Sequence, residues 1–253
     1  EIDPENYVAL LFLARCGSYE HDWKLMEFAA SRGVKVDPSN FEMWKHLFYA
    51  HYNLENDAEA VRTGKMAIKL GDDRLSEIFE AENEDHSGIL QEMAFLNDSY
   101  GKIRTFKGRD SMNEGQVAFA KIQFEYARNS FFKAIGLLEK VLTLSKENPN
   151  AGSESYERKL KWQISESWRH HGLVLLEEGK AKEALVSLKK AVATAPDNAQ
   201  AMLNVGDAYL ELGNHELARE SGRRAYEAAT DEPLRQEIGT ALVGKCPGIG
   251  LVS

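Results

Sequence analysis

Residues 165–198 read SESWRHHGLVLLEEGKAKEALVSLKKAVATAPDN, and residues 199–232 read AQAMLNVGDAYLELGNHELARESGRRAYEAATDE. Laid on one another at an offset of 34, Gly172 falls on Gly206, and Leu176-Glu177 on Leu210-Glu211. Gly179 falls on Gly213, Ala184 on Ala218, Ala191 on Ala225 and Ala195 on Ala229. The same interval separates Pro4 from Pro38, each preceded by Asp. A fixed period of this length marks stacked units that cannot bury their apolar faces alone.

The spacing inside one period specifies its shape. Ala184, Leu185, Leu188, Ala191, Val192 and Ala195 follow the steps of an amphipathic helix. Trp168, His171, Leu175 and Leu176 give the preceding segment the same character. Between them, Glu178-Gly179-Lys180 supplies a turn, with glycine free to take a positive φ at a helix end. Gly172 and Ala184 are small enough for two antiparallel helices to approach there, with Trp168, Leu175 and Leu188 filling the surrounding space. Pro196 closes the second helix, and Asp197 and Asn198 offer caps for the next.

These residues resemble the tetratricopeptide repeat (TPR) family, whose period carries Trp, Leu, Gly, Tyr, Ala, Phe, Ala and Pro in that order. The unit from Ser165 has Trp168, His171, Gly172, Leu175, Ala184, Leu188, Ala191 and Pro196 at those places. The next has Met202, Val205, Gly206, Tyr209, Ala218, Gly222, Ala225 and Thr230, with Gly222 where a large apolar residue is expected. A unit from Phe41 gives Trp44, Leu47, Phe48, His51, Ala60, Gly64, Ala67 and Asp72, and Phe48 in place of a small residue predicts a splayed or tilted hairpin. A unit from Tyr7 keeps Leu10, Leu13, Ala14 and Pro38 but has Met26 and Gly33 in place of second-helix alanines. The resemblance implies an all-α, right-handed superhelical solenoid of antiparallel helix hairpins.

The pattern weakens in the middle, which has no proline from 39 to 148. Short helices are read near 74–82 and 87–100, then a loop over 105–115, basic through Lys102, Arg104, Lys107 and Arg109 but without a phosphate-loop motif. A further hairpin is read over 116–128 and 131–146, with Ala134, Leu138 and Val141 at second-helix positions. The chain breaks at Pro149-Asn150-Ala151-Gly152-Ser153 and resumes as a long helix over 154–178, given extra apolar contacts by Tyr156, Leu160 and Ile164. The last helix, 233–245, starts on Pro233 and carries Leu234, Ile238 and Leu242 on one face, like a capping helix. The expected organisation is therefore 1–74 N-terminal TPR-like hairpins, 75–115 an irregular connector with a loop, 116–232 C-terminal TPR-like hairpins, and 233–253 a capping helix and apolar tail.

Composition sets outer limits. With 43% apolar and 28% charged residues the chain is neither disordered nor a disulfide scaffold. No stretch is long and apolar enough for a membrane helix. Lys and Arg number 31 against 40 Asp and Glu, a formal charge of −9, which argues against nucleic acid and favours basic or amphipathic partners. Cys16 and Cys246 lie at opposite ends and form no CxxC pair, consistent with the cytoplasm or another reducing compartment. The opening Glu1-Ile2-Asp3-Pro4 reads as a seam between two helical units, so sequence upstream is expected.

No catalytic motif stands out. His170-His171 is the only histidine pair, and adjacent helical residues point about 100° apart, too far to share one metal. His171 sits at an apolar core position, where a packed, hydrogen-bonded imidazole is expected. The carboxylates fall in solvated runs such as Glu177-Glu178. No cofactor, metal or enzymatic activity is expected.

What the resemblance implies is a protein–protein interaction scaffold that holds a partner peptide or helix in a groove lined by the first helices. The groove residues would be Lys45 and Tyr49 in one unit, Glu166, Arg169, His170 and Leu173 in another, and Gln200, Leu203, Asn204 and Asp207 in the next. One branch of the family clamps C-terminal carboxylates with a Lys/Asn/Asn/Lys/Arg set. Here only Lys45 and Asn204 match it, and Tyr49, Leu173 and Gln200 occupy other places, so that clamp is incomplete. The alternatives are a structural subunit of a large complex, whose isolated form would show an apolar strip, and a regulatory repeat domain of a larger enzyme such as a glycosyl- or methyltransferase.

Overall fold

Short polar caps and tight left-handed turns organise the chain into helix pairs. The computed structural model describes residues 6–80, 86–147 and 153–245. The pairs are α1 (Tyr7–Glu20) with α2 (Trp23–Val36), α3 (Phe41–Asn53) with α4 (Asp57–Glu80), and α5 (Ser87–Asn113) with α6 (Val117–Glu147). They continue with α7 (Glu154–Glu177) and α8 (Ala181–Thr194), then α9 (Ala199–Glu211) and α10 (His215–Ala228), closed by α11 (Glu232–Lys245). No strand occurs among the described residues, so the all-α hairpin fold is as expected.

Asn6, Asp22, Asn40, Ser153, Asn198 and Asn214 each accept a backbone N–H three residues on, satisfying a donor the helix start leaves open. Each hairpin turn holds one residue at positive φ: His21, Glu55, Gly115, Gly179 and Gly213. His21 and Glu55 are 34 apart, as are Gly179 and Gly213, so the period survives in backbone geometry where the side chains have diverged. At Gly179 the turn is closed by Gly179 N donating to Leu176 O at 2.8 Å and Lys180 N to Leu175 O at 2.8 Å, the paired bonds of a left-handed helix stop.

The chain divides into two compact units, Glu1–Gln123 and Phe124–Ser253, and the division falls inside α6. Within the first, α2 packs on α3, α4 on α5, and α1 on α3. Within the second, α8 packs on α9, α7 on α9, and α10 on α11. Within each unit, neighbouring hairpins thus pack on one another.

Several boundaries in the middle differ from those expected. Residues 74–80 continue α4 rather than starting a new helix, because no proline or left-handed glycine intervenes. The loop expected over 105–115 is helix as far as Asn113, so the irregular connector is, in its described residues, the end of α4 and the whole of α5. Thr105 and Ser111 return their hydroxyls to the carbonyls of Gly101 and Lys107, at 2.9 and 2.7 Å, instead of opening turns. Buried Arg104 donates to Gln123 Oε1 at 2.7 Å and to the Tyr100 hydroxyl, which holds this stretch against the start of α6. The turn comes at Gly115. Correspondingly, 116–128 and 131–146 do not form a hairpin: both belong to α6, whose Ala134, Leu138 and Val141 are buried. The long α7 is as expected, and so is α11, whose Ile238 is fully buried beside Ala199, Met202, Ala225 and Ala229. The Asp3-Pro4 seam, most of the 149–153 break and the Cys246–Ser253 tail lie outside the described residues.

Large and small residues are exchanged between hairpins. In α7/α8, a methyl placed on Gly172 would lie 2.6 Å from Leu188 Cγ, the small-against-large contact the repeat predicts. In α3/α4 the two sizes are swapped. Phe48 on α3 is fully buried, and a methyl on Gly64 of α4 would lie 2.8 Å from its ring and 2.7 Å from that of Tyr100. The bulk that predicted a splayed hairpin is accommodated at Gly64. In α9/α10 both positions are glycine, Gly206 and Gly222, and a methyl on Gly206 would stand 3.2 Å from the Ala218 carbonyl oxygen.

Candidate functional site

The repeat register places Glu166, Arg169, His170, Leu173 and Glu177 along one side of α7. Gln200, Leu203, Asn204, Asp207 and Glu211 take the matching places on α9, which packs beside α7. The upper half of this face is fastened internally. Arg169 grips Glu166 with two bonds, Nε to Oε1 at 2.9 Å and Nη2 to Oε2 at 2.7 Å, and lies 3.0 Å from His170 Nε2. His170 also packs against the Phe131 ring of α6, 5.3 Å between centroids. Burial works to raise the Glu166 carboxyl, but the hydrogen bonds from Arg169 and Asn198 outweigh it and hold it below the usual carboxylate range.

Asn198 is the residue that locks this half. It is fully buried, and its Oδ1 accepts from Ala201 N at 2.9 Å, capping α9. Its Nδ2 donates to Ser165 Oγ at 2.9 Å and to Glu166 Oε1 at 2.8 Å. Ser165 in turn donates to Ala191 O on α8 at 2.8 Å. One side chain therefore ties α7, α8 and α9 together. Its capping role was readable in sequence; the bridge depends on residues more than 30 positions away and was not.

The lower half is open. A cavity of about 390 Å³ is lined by Leu173, Leu176 and Glu177 of α7 and by Asp207, Leu210 and Glu211 of α9. The six are three repeat positions taken twice, since each α9 member lies 34 residues after its α7 counterpart. Burial first, then the neighbouring Asp207 and Glu177 carboxylates, raise the Glu211 carboxyl above its ordinary value. Asn204 is 8% exposed; its Nδ2 donates to Asp207 Oδ2 at 3.3 Å, while its Oδ1 is buried with no hydrogen-bond partner. Leu176, Leu210, Glu177 and Glu211 stand out in sequence as a Leu-Glu pair repeated unchanged, but were not named there among the groove residues.

The remaining groove candidates fare differently. Gln200 is half-buried, and Leu203 belongs to the core with Met202, Ala225 and Ile238 rather than to an open wall. In the first unit, Lys45 and Tyr49 brace α3 against α5. Lys45 Nζ lies 3.1 Å from Glu42 and 3.1 Å from Glu92. The Tyr49 ring packs 6.1 Å from Phe95, and its hydroxyl bonds Ser99, with burial holding the phenol well above its usual value. A second cavity of about 280 Å³ opens between α8 and α10 over Met202, Val205 and Tyr209. On α1, Val8, Phe12 and Tyr19 share one exposed side. Among the described residues no helix is long and apolar enough to cross a membrane, and no group of three or more His, Cys, Asp or Glu is placed to hold a metal.

Two imidazoles are held neutral by the fold. His171 bonds Ser187 Oγ at 3.0 Å among Trp168 and Phe132, and burial, then Arg128 and Lys190, lower its pKa to about 4. His46 is lowered to about 4 by burial and then Lys45. Both titrate near 6.5 when unfolded, so the unfolded chain binds the extra protons first and stability falls as pH drops from about 6.5 towards 4. Going from about pH 7.5 to about pH 5 is expected to cost roughly 2 kcal/mol at each histidine. Denaturant titration at the two values checks this: His171→Gln should flatten the loss in α7 and α8, and an unchanged slope would refute it.

Residues 170–233 match the tetratricopeptide repeat family. No curated protein matches the chain. Among solved structures it is similar in fold to a MamA protein, at 15% identity and a TM-score of 0.57, over 98% of this chain and 99% of that one. YrrB, described as a TPR protein with an unusual peptide-binding site, aligns at 14% identity and 0.52 over 93% of each chain. Pseudomonas aeruginosa pilF aligns at 12% and 0.53, over 96% of this chain and 93% of that one. The family match thus covers 170–233, and the helix-hairpin fold is shared with these solved structures along most of the chain.

Proposed function

We propose that the chain is a non-enzymatic protein-interaction scaffold that holds a peptide or helix of a partner on the α7/α9 face. The observation that carries this is the open cavity between α7 and α9, where Leu173, Leu176 and Leu210 stand among Glu177, Asp207 and Glu211. An open apolar hollow with a few convergent polar groups is the usual form of a binding site. The family match and the description of YrrB as peptide-binding support the same role. In the first unit, Lys45 and Tyr49 are committed to internal contacts, so the partner surface belongs to the second.

The exposed Val8, Phe12 and Tyr19 side of α1 is an apolar edge of the kind a subunit of a larger assembly covers. Photo-crosslinking separates the readings. A photoreactive residue is placed at Leu173, at Phe12, or at exposed Val186 on α8 as a control, and the chain is irradiated in extract of its native source. A discrete protein adduct from position 173 and none from 186 is expected. Adducts from position 12 alone would replace the groove reading with the assembly reading, and adducts from none would remove both.

A further inference from the structure

We propose that the cavity between α7 and α9 receives a lysine or arginine side chain of the partner, with Leu173, Leu176 and Leu210 covering its aliphatic stem and Glu177, Asp207 and Glu211 meeting its charge. This rests on the groove reading above and adds the chemistry that selects the partner.

Three observations converge on a cation. The walls are two-sided in character: three leucines and three carboxylates line about 390 Å³, which suits a side chain that is apolar along its length and charged at its end. The carboxylates crowd one another, since Asp207 and Glu211 are four residues apart on one helix and Glu177 faces them from α7. Like charges at that helical spacing repel, and a bound cation converts the repulsion into attraction. The site is thus rich in acceptors, and an ammonium or guanidinium brings only donors. The chain's charge of −9 draws the same class of partner from a distance.

The test uses the full chain with isotopically labelled leucine methyls. The probe is a synthetic peptide of glycine and serine carrying two leucines around one arginine, with versions bearing lysine, glutamine or glutamate instead. The arginine and lysine peptides are expected to shift the Leu173, Leu176 and Leu210 methyls and to bind roughly tenfold tighter than the glutamine peptide, an advantage that shrinks with added salt. The double variant Asp207→Asn with Glu211→Gln should lose that advantage while melting no lower than the native chain. Equal binding of the glutamine peptide with the same methyl shifts would overturn charge selection and leave the groove standing. No shift from any peptide would overturn the inference, and crosslinking from position 173 would then show whether the groove reading falls with it. Tighter binding of the glutamate peptide would reverse it.

Discussion

Phe48→Ala is expected to destabilise the α3/α4 hairpin by about 3–5 kcal/mol, the usual loss when a fully buried phenyl ring is removed. Gly64→Leu alone is expected to cost roughly 1–3 kcal/mol or more, because the Phe48 and Tyr100 rings already occupy the space a side chain there would need. Combined, the two changes restore the small-on-first-helix, large-on-second-helix arrangement seen at Gly172 and Leu188. The double variant should therefore recover more than the sum of its parts predicts, with a coupling of about 1–3 kcal/mol. Hydrogen exchange along α3 and α4 is the suitable readout, since a chain of two units need not melt in one step. Additive losses would show that the two positions do not share one space.

Asn198→Ala is expected to cost about 2–4 kcal/mol, from a lost helix cap, from the buried Ser165 hydroxyl left without its donor, and from the loss of one of the two donors to Glu166 Oε1. Asn198→Ser separates these contributions. Serine can still cap α9, but it is too short to reach both Ser165 and Glu166, so it should recover only the cap, roughly 1 kcal/mol. Loss of amide protection should extend through α7, α8 and α9 together in the alanine variant. A serine variant as stable as the native chain would reduce Asn198 to an ordinary cap. Because the same residue orients Glu166 and, through it, Arg169, the alanine change should also loosen the upper half of the proposed groove.

How much was legible from sequence differs between the two ends of the chain. Around Gly172, Ala184, Gly206 and Ala218 the period, the turns and the close contacts could all be read, because each constraint is local or one repeat away. In the middle they could not. Gly101 and Gly108 lie inside α5, and no residue between Arg128 and Phe131 breaks α6. Turn-forming composition was overridden there by side-chain bonds back to the helix and by buried contacts such as Arg104 to Gln123. At the candidate site, the positions facing the groove followed from register, but register does not say which of them are already spoken for. Glu166, Arg169, Lys45 and Tyr49 satisfy partners within the chain, and Leu203 is core.

The sequence by itself determined that the two ends of this protein are built of helix pairs repeating every 34 residues, since a small residue, a turn and a cap at fixed intervals leave a helical chain few other ways to bury its apolar side. Only the tertiary structure decided where the open surface lies. That depends on which polar side chains find one another across neighbouring helices, as Asn198 finds Ser165 and Glu166. It depends equally on where side chains from two repeats leave a hollow between them, as Leu173, Leu176 and Leu210 do beside Glu177, Asp207 and Glu211.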